Sequence, residues 1–418
     1  MSVAEPLVLA VESSCDETGV AVVADGRRIL GQAIASQVAL HAPAGGIIPE
    51  LAARAHLRWI VPALDEALAT AGIGLQRVDA VAVTAGPGLA GSLLVGIAFA
   101  KGLAWVHGKP LVGVNHLEGH LYAAWLDPAG DGATGGPEPV FPVVALIVSG
   151  GHTFLVAMRD HLVYRLLGET VDDAAGEAFD KAGRLLGLPY PGGPAIALAA
   201  ESAAGPGVEL PRAWLGDSYD FSFSGIKTAL RRLVEGELAA LGRPPAEEGG
   251  LLPGERVAVL SAGFQASVVD VLAAKTLRAA REAGARTIVL GGGVAANEAL
   301  RARLTAGAAG AGIDLVIPPP ALCTDNAARI GAAGHRRFVA GERAGLDLDA
   351  RPSWPLVRPA GTPAGRRPPR RGAAGRAYEV ARAAEAGGEA RDRATGASPA
   401  GASPTVASPA AGRGASDE

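Results

Sequence analysis

Twice along this chain three short strand-period segments are followed by helices and strands in alternation, and that repeated order restricts the fold more than any other feature. In the first half, residues 8–11, 19–23 and 29–35 read as strands separated by turn residues. Residues 51–71 carry a helical period that Pro62 is expected to kink or divide. A buried strand at 80–84, a helix at 93–106, a strand at 111–114 and a histidine-bearing helix complete the half. After a Gly- and Pro-rich break at 127–139 the order restarts, with strands at 143–148, 153–158 and 163–167 and a helix at 172–186. A looser region reaches to about 253. Then come an amphipathic helix at 256–283, a strand at 287–290, a helix at 297–306, a strand at 315–317 and a helix at 326–339. Each half is thus β-β-β-α-β-α-β-α, the second with an insertion. A duplicated unit of this order predicts two similar α/β lobes facing a cleft, with ligands at the carboxyl ends of the strands. Actin-like, sugar-kinase-like and chaperone-ATPase-like folds share the pattern. The lobes are expected at 1–126 and 140–356, which 418 residues amply allow.

Residues 357–418 are almost all Gly, Ala, Pro, Ser and Arg, too poor in apolar side chains to offset the entropy of ordering, and are expected to form a disordered tail. From Arg358 onward ten Arg face six acids, or +4, which leaves −8 for the rest of a chain whose net charge is −4. No global basic field points to nucleic acid, so a nucleic-acid partner needs a local patch. Two cysteines, Cys15 and Cys323, make no disulfide framework and suggest a reducing, cytoplasmic setting. The most apolar stretch, 92–106, is interrupted by Lys101 and too short for a bilayer, and the N-terminus has no basic leader, so no membrane is expected.

His116 and His120 stand at i and i+4 if the helix begins near Leu117, close enough to share one metal ion. Helix-start histidines satisfied by carbonyls fit the pair equally well. A zinc protease would need its Glu directly after the first His, whereas Glu118 stands two places on. Asp325, in Cys323-Thr324-Asp325-Asn326, offers a carboxylate from far downstream. The turn Ser149-Gly150-Gly151-His152 suits an anion nest or a plain hairpin. Gly291-Gly292-Gly293 before a helix opening at Asn297 suits a nucleotide against a helix N-terminus. Asp172, Asp173, Glu177, Asp180 and Lys181 are read on one helix, its carboxylates suited to ribose hydroxyls. Pro191-Gly192-Gly193-Pro194 makes a tight turn beyond it. Residues 220–227, DFSFSGIK, read as a ligand-facing segment or as a strand with one buried face.

Taken together, ESSCDETGVAVV, GGIIPELAARAH, TAGPGLAGSLLVG, NHLEGH, VSGGHT, DDAAGEAFDKAGRLLGLPYPGGP, DFSFSGIKTAL, GGGVAANEALR, CTDNAARI and RPSWPL resemble the universal tRNA threonylcarbamoyladenosine transferase family, in its stand-alone bacterial form and in family order over residues 7–356. The resemblance implies a two-lobed actin-like fold. It implies transfer of a threonylcarbamoyl group from threonylcarbamoyl-adenylate to N6 of the tRNA adenosine just 3′ of the anticodon. It places metal ligands at His116, His120 and Asp325, with iron expected and zinc as the alternative. It places adenylate contacts at Ile147, Val148, Ser149, Gly150, Gly151, Asp180, Gly193 and Asn297, and important acids at Asp16 and Glu17. It also implies a catalytically inactive paralogue and a small P-loop ATPase as partners, the exposed faces of the helices at 51–71 and 93–106 being the expected meeting place. The chain departs from the family pattern in an insert around 241–255, in its tail, in Asn115, where many members have another His, and in Ala197, where some carry a ribose-binding Asp. Rival expectations are an actin-fold ATPase or kinase, which would hold Mg²⁺ with carboxylates and water rather than histidines, and a degenerate scaffold copy, which should have lost its ligands.

Overall fold

The computed structural model describes residues 5–44, 46–127 and 138–357, all within one compact unit, Met1–Ala360. The expected disordered tail lies outside the described residues, as does most of the break at 127–139. Strands β1 (Leu7–Glu12), β2 (Glu17–Ala24) and β3 (Arg28–Ser36) form an antiparallel meander. The short helix α1 (Val38–His41) and α2 (Pro49–Ala71) lead to β4 (Ala80–Gly86), α3 (Ala90–Val106), β5 (Leu111–Asn115) and α4 (His116–Tyr122). Both β4 and β5 add in parallel, giving the sheet order β3-β2-β1-β4-β5.

The second half repeats the scheme with β6 (Val143–Val148), β7 (Thr153–Asp160) and β8 (Val163–Glu169) antiparallel. Helices α5 (Ala175–Leu185), α6 (Gly192–Glu201), α7 (Ser224–Ala240) and α8 (Gly254–Glu282) precede β9 (Thr287–Gly291). Then follow α9 (Glu298–Ala311), β10 (Asp314–Val316), the short α10 (Pro320–Cys323) and α11 (Ala327–Val339). With β9 and β10 parallel to β6, the order β8-β7-β6-β9-β10 is the first sheet's order over again. The duplicated actin-like α/β fold that the sequence predicts is present. The central strands β1, β4 and β6 are buried on both faces, which is why they read as unbroken apolar runs instead of alternating ones.

Several sequence expectations need correction. Pro62 neither ends nor divides α2, which runs unbroken; Pro62 is exposed, so the carbonyl it leaves without a donor faces water. The looser region before 253 contains two helices, α6 and α7. Residues 220–227 are not a strand: Phe221 makes one isolated bridge to Thr170 and α7 begins at Ser224. The helix starts at Ala175, not 172, so Asp172 and Asp173 stand before it in the loop. The expected long helix is present as α8, and Phe264, Val268, Leu272 and Ala279 among others bury its apolar face in the second-half core. By length and composition alone α8 could cross a membrane, but most of its apolar window is inside the protein.

Helices α4 and α11 position the candidate site. One core cluster joins Val8, Ala10 and Val114 of the first sheet, Val143, Ile147 and Val289 of the second, and Leu117, Leu121, Ala328, Ile330 and Ala332 of the two helices. Helix α11 comes last in the sequence yet packs on β1, β2, β4 and β5 of the first sheet and against α4. A Cβ on Gly119 would lie 2.7 Å from Ile330 Cδ1 and 3.2 Å from Arg329 Cγ, so the two helices can approach this closely only because α4 carries glycine there.

Candidate functional site

Asn115, the last residue of β5, accepts the Leu117 N–H at 2.9 Å through its side chain and so starts α4 at His116. Both histidines of that helix are buried, with ring centroids 4.9 Å apart and planes nearly perpendicular. Asp325 sits in the turn before α11, whose N-cap Asn326 accepts the Arg329 N–H at 3.1 Å. Asp325 Oδ1 lies 3.8 Å from His116 Nε2 and 3.6 Å from His120 Nε2. One ligand atom from each of the three residues falls within 4.8 Å of the others. The tertiary structure therefore joins residues that are more than two hundred positions apart.

Four further residues, none of them read from the sequence as part of this trio, complete the cluster. Glu12, wholly buried at the end of β1, approaches His116 Nδ1 at 3.2 Å and accepts the Ser14 N–H at 2.6 Å and the Thr84 hydroxyl at 3.1 Å. Ser14 Oγ lies 2.9 Å from the same Nδ1. Because a carboxylate only accepts, Glu12 orients His116 through its Nδ1–H and turns Nε2 toward Asp325. Burial alone would raise the Glu12 pKa, but His116 and Arg329 beside it bring it down to about 2. Burial holds His120 far below the usual imidazole range, and the Arg329 charge adds to this. His152 stands 6.2 Å from His116, centroid to centroid, and burial takes it down to about 4. Arg329, itself fully buried, spreads over the trio. Its Nη2 donates to Asp325 Oδ1 at 2.7 Å and lies within 3.4 Å of both His116 ring nitrogens, and its Nη1 lies 2.6 Å from His120 Nε2. Its spacing of one helical turn from Asp325 was the sequence signal available.

Glu118, the residue a protease reading turns on, is otherwise engaged. Arg337 grips its carboxylate at 2.6 and 2.5 Å in a bidentate pair, and Glu118 is buried.

The loop after β1 presents Cys15 and Asp16, and Glu17 opens β2. His56 of α2 holds the loop, with Nε2 3.1 Å from the Cys15 carbonyl and Nδ1 2.7 Å from the Thr18 hydroxyl. Burial, then Asp16 and Asp325, raise Glu17 to about 9, and the same causes push the Cys15 thiol well up. Burial raises the Tyr190 phenol, and the charges of Asp180 and Asp16 add to the shift.

In the second half, residues 147–151 leave the end of β6, where Ser149 N–H donates to the His152 carbonyl at 2.7 Å. Ile147 is in register with Gly291 of β9, and the Val148 carbonyl faces Gly292, so the two glycine turns are neighbours. The His120 carbonyl abuts Gly291, which joins α4 to the same place. Gly176, opening α5, donates its N–H to the Ser149 carbonyl at 3.2 Å. Asp180 accepts the Gly192 N–H at 2.8 Å, one residue before Gly193. Asn297 caps α9 by accepting the Leu300 N–H at 3.0 Å and donates to Gln265 Oε1 at 2.7 Å. Two of the acids read on one helix are engaged elsewhere: Asp172 accepts the Ser222 and Ser224 hydroxyls at 2.5 and 2.6 Å, and Asp173 pairs with Lys181 and Lys227 at 2.6 and 2.9 Å.

The family model described as TsaD, tRNA N6-adenosine threonylcarbamoyltransferase, matches residues 28–332. A tRNA N6-adenosine threonylcarbamoyltransferase of Thermomicrobium roseum is 57% identical over 361 residues, 84% of this chain and 97% of that protein. One of Symbiobacterium thermophilum is 51% identical over 352 residues, again 84% and 97%. Among solved structures, full-length HypF in its phosphate- and nucleotide-bound form superposes with a TM-score of 0.51 at 12% identity. That match covers 81% of this chain and 47% of HypF, and it bears on the fold alone.

Proposed function

Because the chain belongs to the tRNA N6-adenosine threonylcarbamoyltransferase family, we propose that His116, His120 and Asp325 are its metal ligands and that the glycine turns beside them receive the threonylcarbamoyl-adenylate. The chain is a transferase that modifies tRNA, moving the threonylcarbamoyl group onto N6 of adenosine. Convergence of two imidazoles and a carboxylate within 4.8 Å is the observation that carries the metal reading. The donor set fits: His120 is held neutral, and Glu12 orients His116 from behind so that its Nε2 faces Asp325. Iron is the ion proposed, with zinc as the second choice for a mixed imidazole–carboxylate set. When bound, the ion supplies Lewis-acid polarisation to the donor's carbonyl or phosphate oxygens.

The remaining chemistry belongs to this chain's own groups. The N6 amine forms a bond to the threonylcarbamoyl carbon, the bond from that carbon to the adenylate oxygen breaks, and one amine proton leaves. A mixed anhydride is already activated, so positioning and stabilisation of the carbonyl oxygen are what remain to be supplied. Backbone N–H groups of 147–151 and 291–293, with Asp180, Gly193 and Asn297, are proposed to hold the adenylate. Their support is the shared edge formed by the ends of β6 and β9 and the start of α5. Asp16 and Glu17 are proposed as the catalytic acids, Asp16 taking the amine proton and Glu17, kept protonated by its surroundings, donating a hydrogen bond to the carbonyl oxygen. A thiol held protonated is a poor nucleophile, which favours direct transfer without a covalent enzyme intermediate. On α6, half-buried Ala197 brings no carboxylate to the ribose, so Asp180 carries that contact.

The same reading takes residues 1–126 and 140–356 as two lobes, supported by the two equivalent sheets, with α11 returning to the first. It assigns the exposed apolar side chains Leu57 and Val61 of α2 and Leu94 and Trp105 of α3 to the inactive paralogue. The small P-loop ATPase and a cytoplasmic location follow from the family resemblance and the tRNA substrate. The deciding experiment supplies labelled threonine, the adenylate-forming enzyme, bacterial partners and unmodified tRNA. Label on the anticodon-loop adenosine with wild type and not with His116→Ala supports both reaction and site. Equal label with the variant removes the metal assignment.

A further inference from the structure

The same donors that suit a metal are held by a cation that the chain carries itself. Arg329 is fully buried, and its guanidinium donates to Asp325 Oδ1 at 2.7 Å and lies 2.6 Å from His120 Nε2 and 3.4 Å from His116 Nε2. Its nitrogens lie against both ring nitrogens of His116 and of His120, so the guanidinium fills the space between the donors that a divalent ion would need. A guanidinium has five N–H groups and no lone pair of its own, and it stays charged at any physiological pH. It therefore cannot join the coordination shell, and it cannot stand aside by losing a proton. Glu12 Oε2, 3.5 Å away and also fully buried, is a second carboxylate for the same charge, so Arg329 is balanced without any other cation. The backbone leaves it little room, since Arg329 is fixed at the first turn of α11 beside the close crossing at Gly119.

We propose that Arg329 is the resident cation of the His116–His120–Asp325 cluster and competes directly with a divalent ion for it. This inference rests on the reading of those three residues as metal donors and adds that ion entry requires the guanidinium to leave them. The chain therefore binds a divalent ion much more weakly than its donor set alone would allow. Removing the guanidinium, and nothing else, should release that affinity.

The test uses the full chain, stripped with a chelator, and titrates it with Co²⁺ alone. Binding is followed by the visible absorbance of the ion and by competition with a chromophoric chelator. Wild type is compared with Arg329→Met, Arg329→Gln and His116→Ala. The expected result is a dissociation constant at least a hundredfold lower in Arg329→Met and Arg329→Gln than in wild type, with the gain abolished by adding His116→Ala. Equal affinities in wild type and both Arg329 variants would overturn the competition while leaving the metal reading intact. No binding by any folded protein would overturn the competition together with the metal reading. Should neither Arg329 variant fold, wild type decides alone: tight, sub-micromolar Co²⁺ binding that disappears in His116→Ala would overturn the proposal, and weak binding sensitive to the same substitution would support it.

Discussion

Replacing Glu17 by glutamine should make this protein more stable at alkaline pH while impairing transfer. Glu17 ionises near 4.5 in an unfolded chain but near 9 in the folded one, because burial and the neighbouring Asp16 and Asp325 oppose its charge. The folded state thus keeps a proton that the unfolded state releases. The resulting stability is fully present below pH 4.5 and is lost as the pH rises toward 9. Each pH unit in that window costs up to about 1.4 kcal/mol, so between pH 5 and pH 8 the ceiling is about 4 kcal/mol. Glu17 keeps some contact with water and shares its environment with Asp16, which brings the expected loss to about 2 kcal/mol. The glutamine side chain would keep the shape and still accept the Ser36 hydroxyl, which meets Glu17 Oε1 at 3.2 Å. It has no charge to suppress. The variant's melting temperature relative to wild type should therefore climb by about 4 °C between pH 5 and pH 8. Thermal unfolding of both proteins across that range measures it, and taking the difference cancels the titration of the buried histidines. Parallel curves for variant and wild type would refute the argument, since they would mean that Glu17 is ionised normally in the folded protein.

Three further expectations follow from single contacts. Glu118→Gln leaves Arg337, mostly buried, with the exposed Glu342 as its remaining carboxylate and should cost about 3 kcal/mol in urea unfolding; a loss under about 1 kcal/mol would show that Glu342 and water suffice for it. Gly292→Ala combines a backbone φ of +86° with a Cβ 2.4 Å from the Val148 carbonyl oxygen, so a loss above about 2 kcal/mol and reduced transfer are expected, with unaltered melting and kinetics as the contrary result. Asp172→Ala removes the acceptor of the Ser222 and Ser224 hydroxyls and of the Phe223 N–H at the start of α7. That should lower stability by about 1 kcal/mol without changing the KM for the adenylate, and a large KM effect would restore Asp172 to the ligand.

The repeated order of elements and the residue types of the site were legible in the chain alone. Strand and helix periods are local properties, written in the spacing of Val, Leu and Ala. The duplicated order of elements along the chain therefore followed from counting, down to strand ends within a residue or two. The His116–His120 spacing and the caps Asn297 and Asn326 were legible for the same reason. Local pattern misjudged the places where surroundings prevail. Pro62 was read as a break, yet an exposed proline can leave its orphaned carbonyl to water. Asp172 and Asp173 were read as helical ligands, yet the hydroxyls and lysines of residues 222–227 and Lys181 claim them across the loop. Long-range packing alone settled that α11 returns to the first sheet, carrying Asp325 to the histidines and Arg329 between them. It also settled that Glu12, from the opposite end of the chain, stands behind His116. A side chain's charge, proton and partner depend on which distant groups share its low-dielectric surroundings, and that is fixed by packing, not by spacing along the chain.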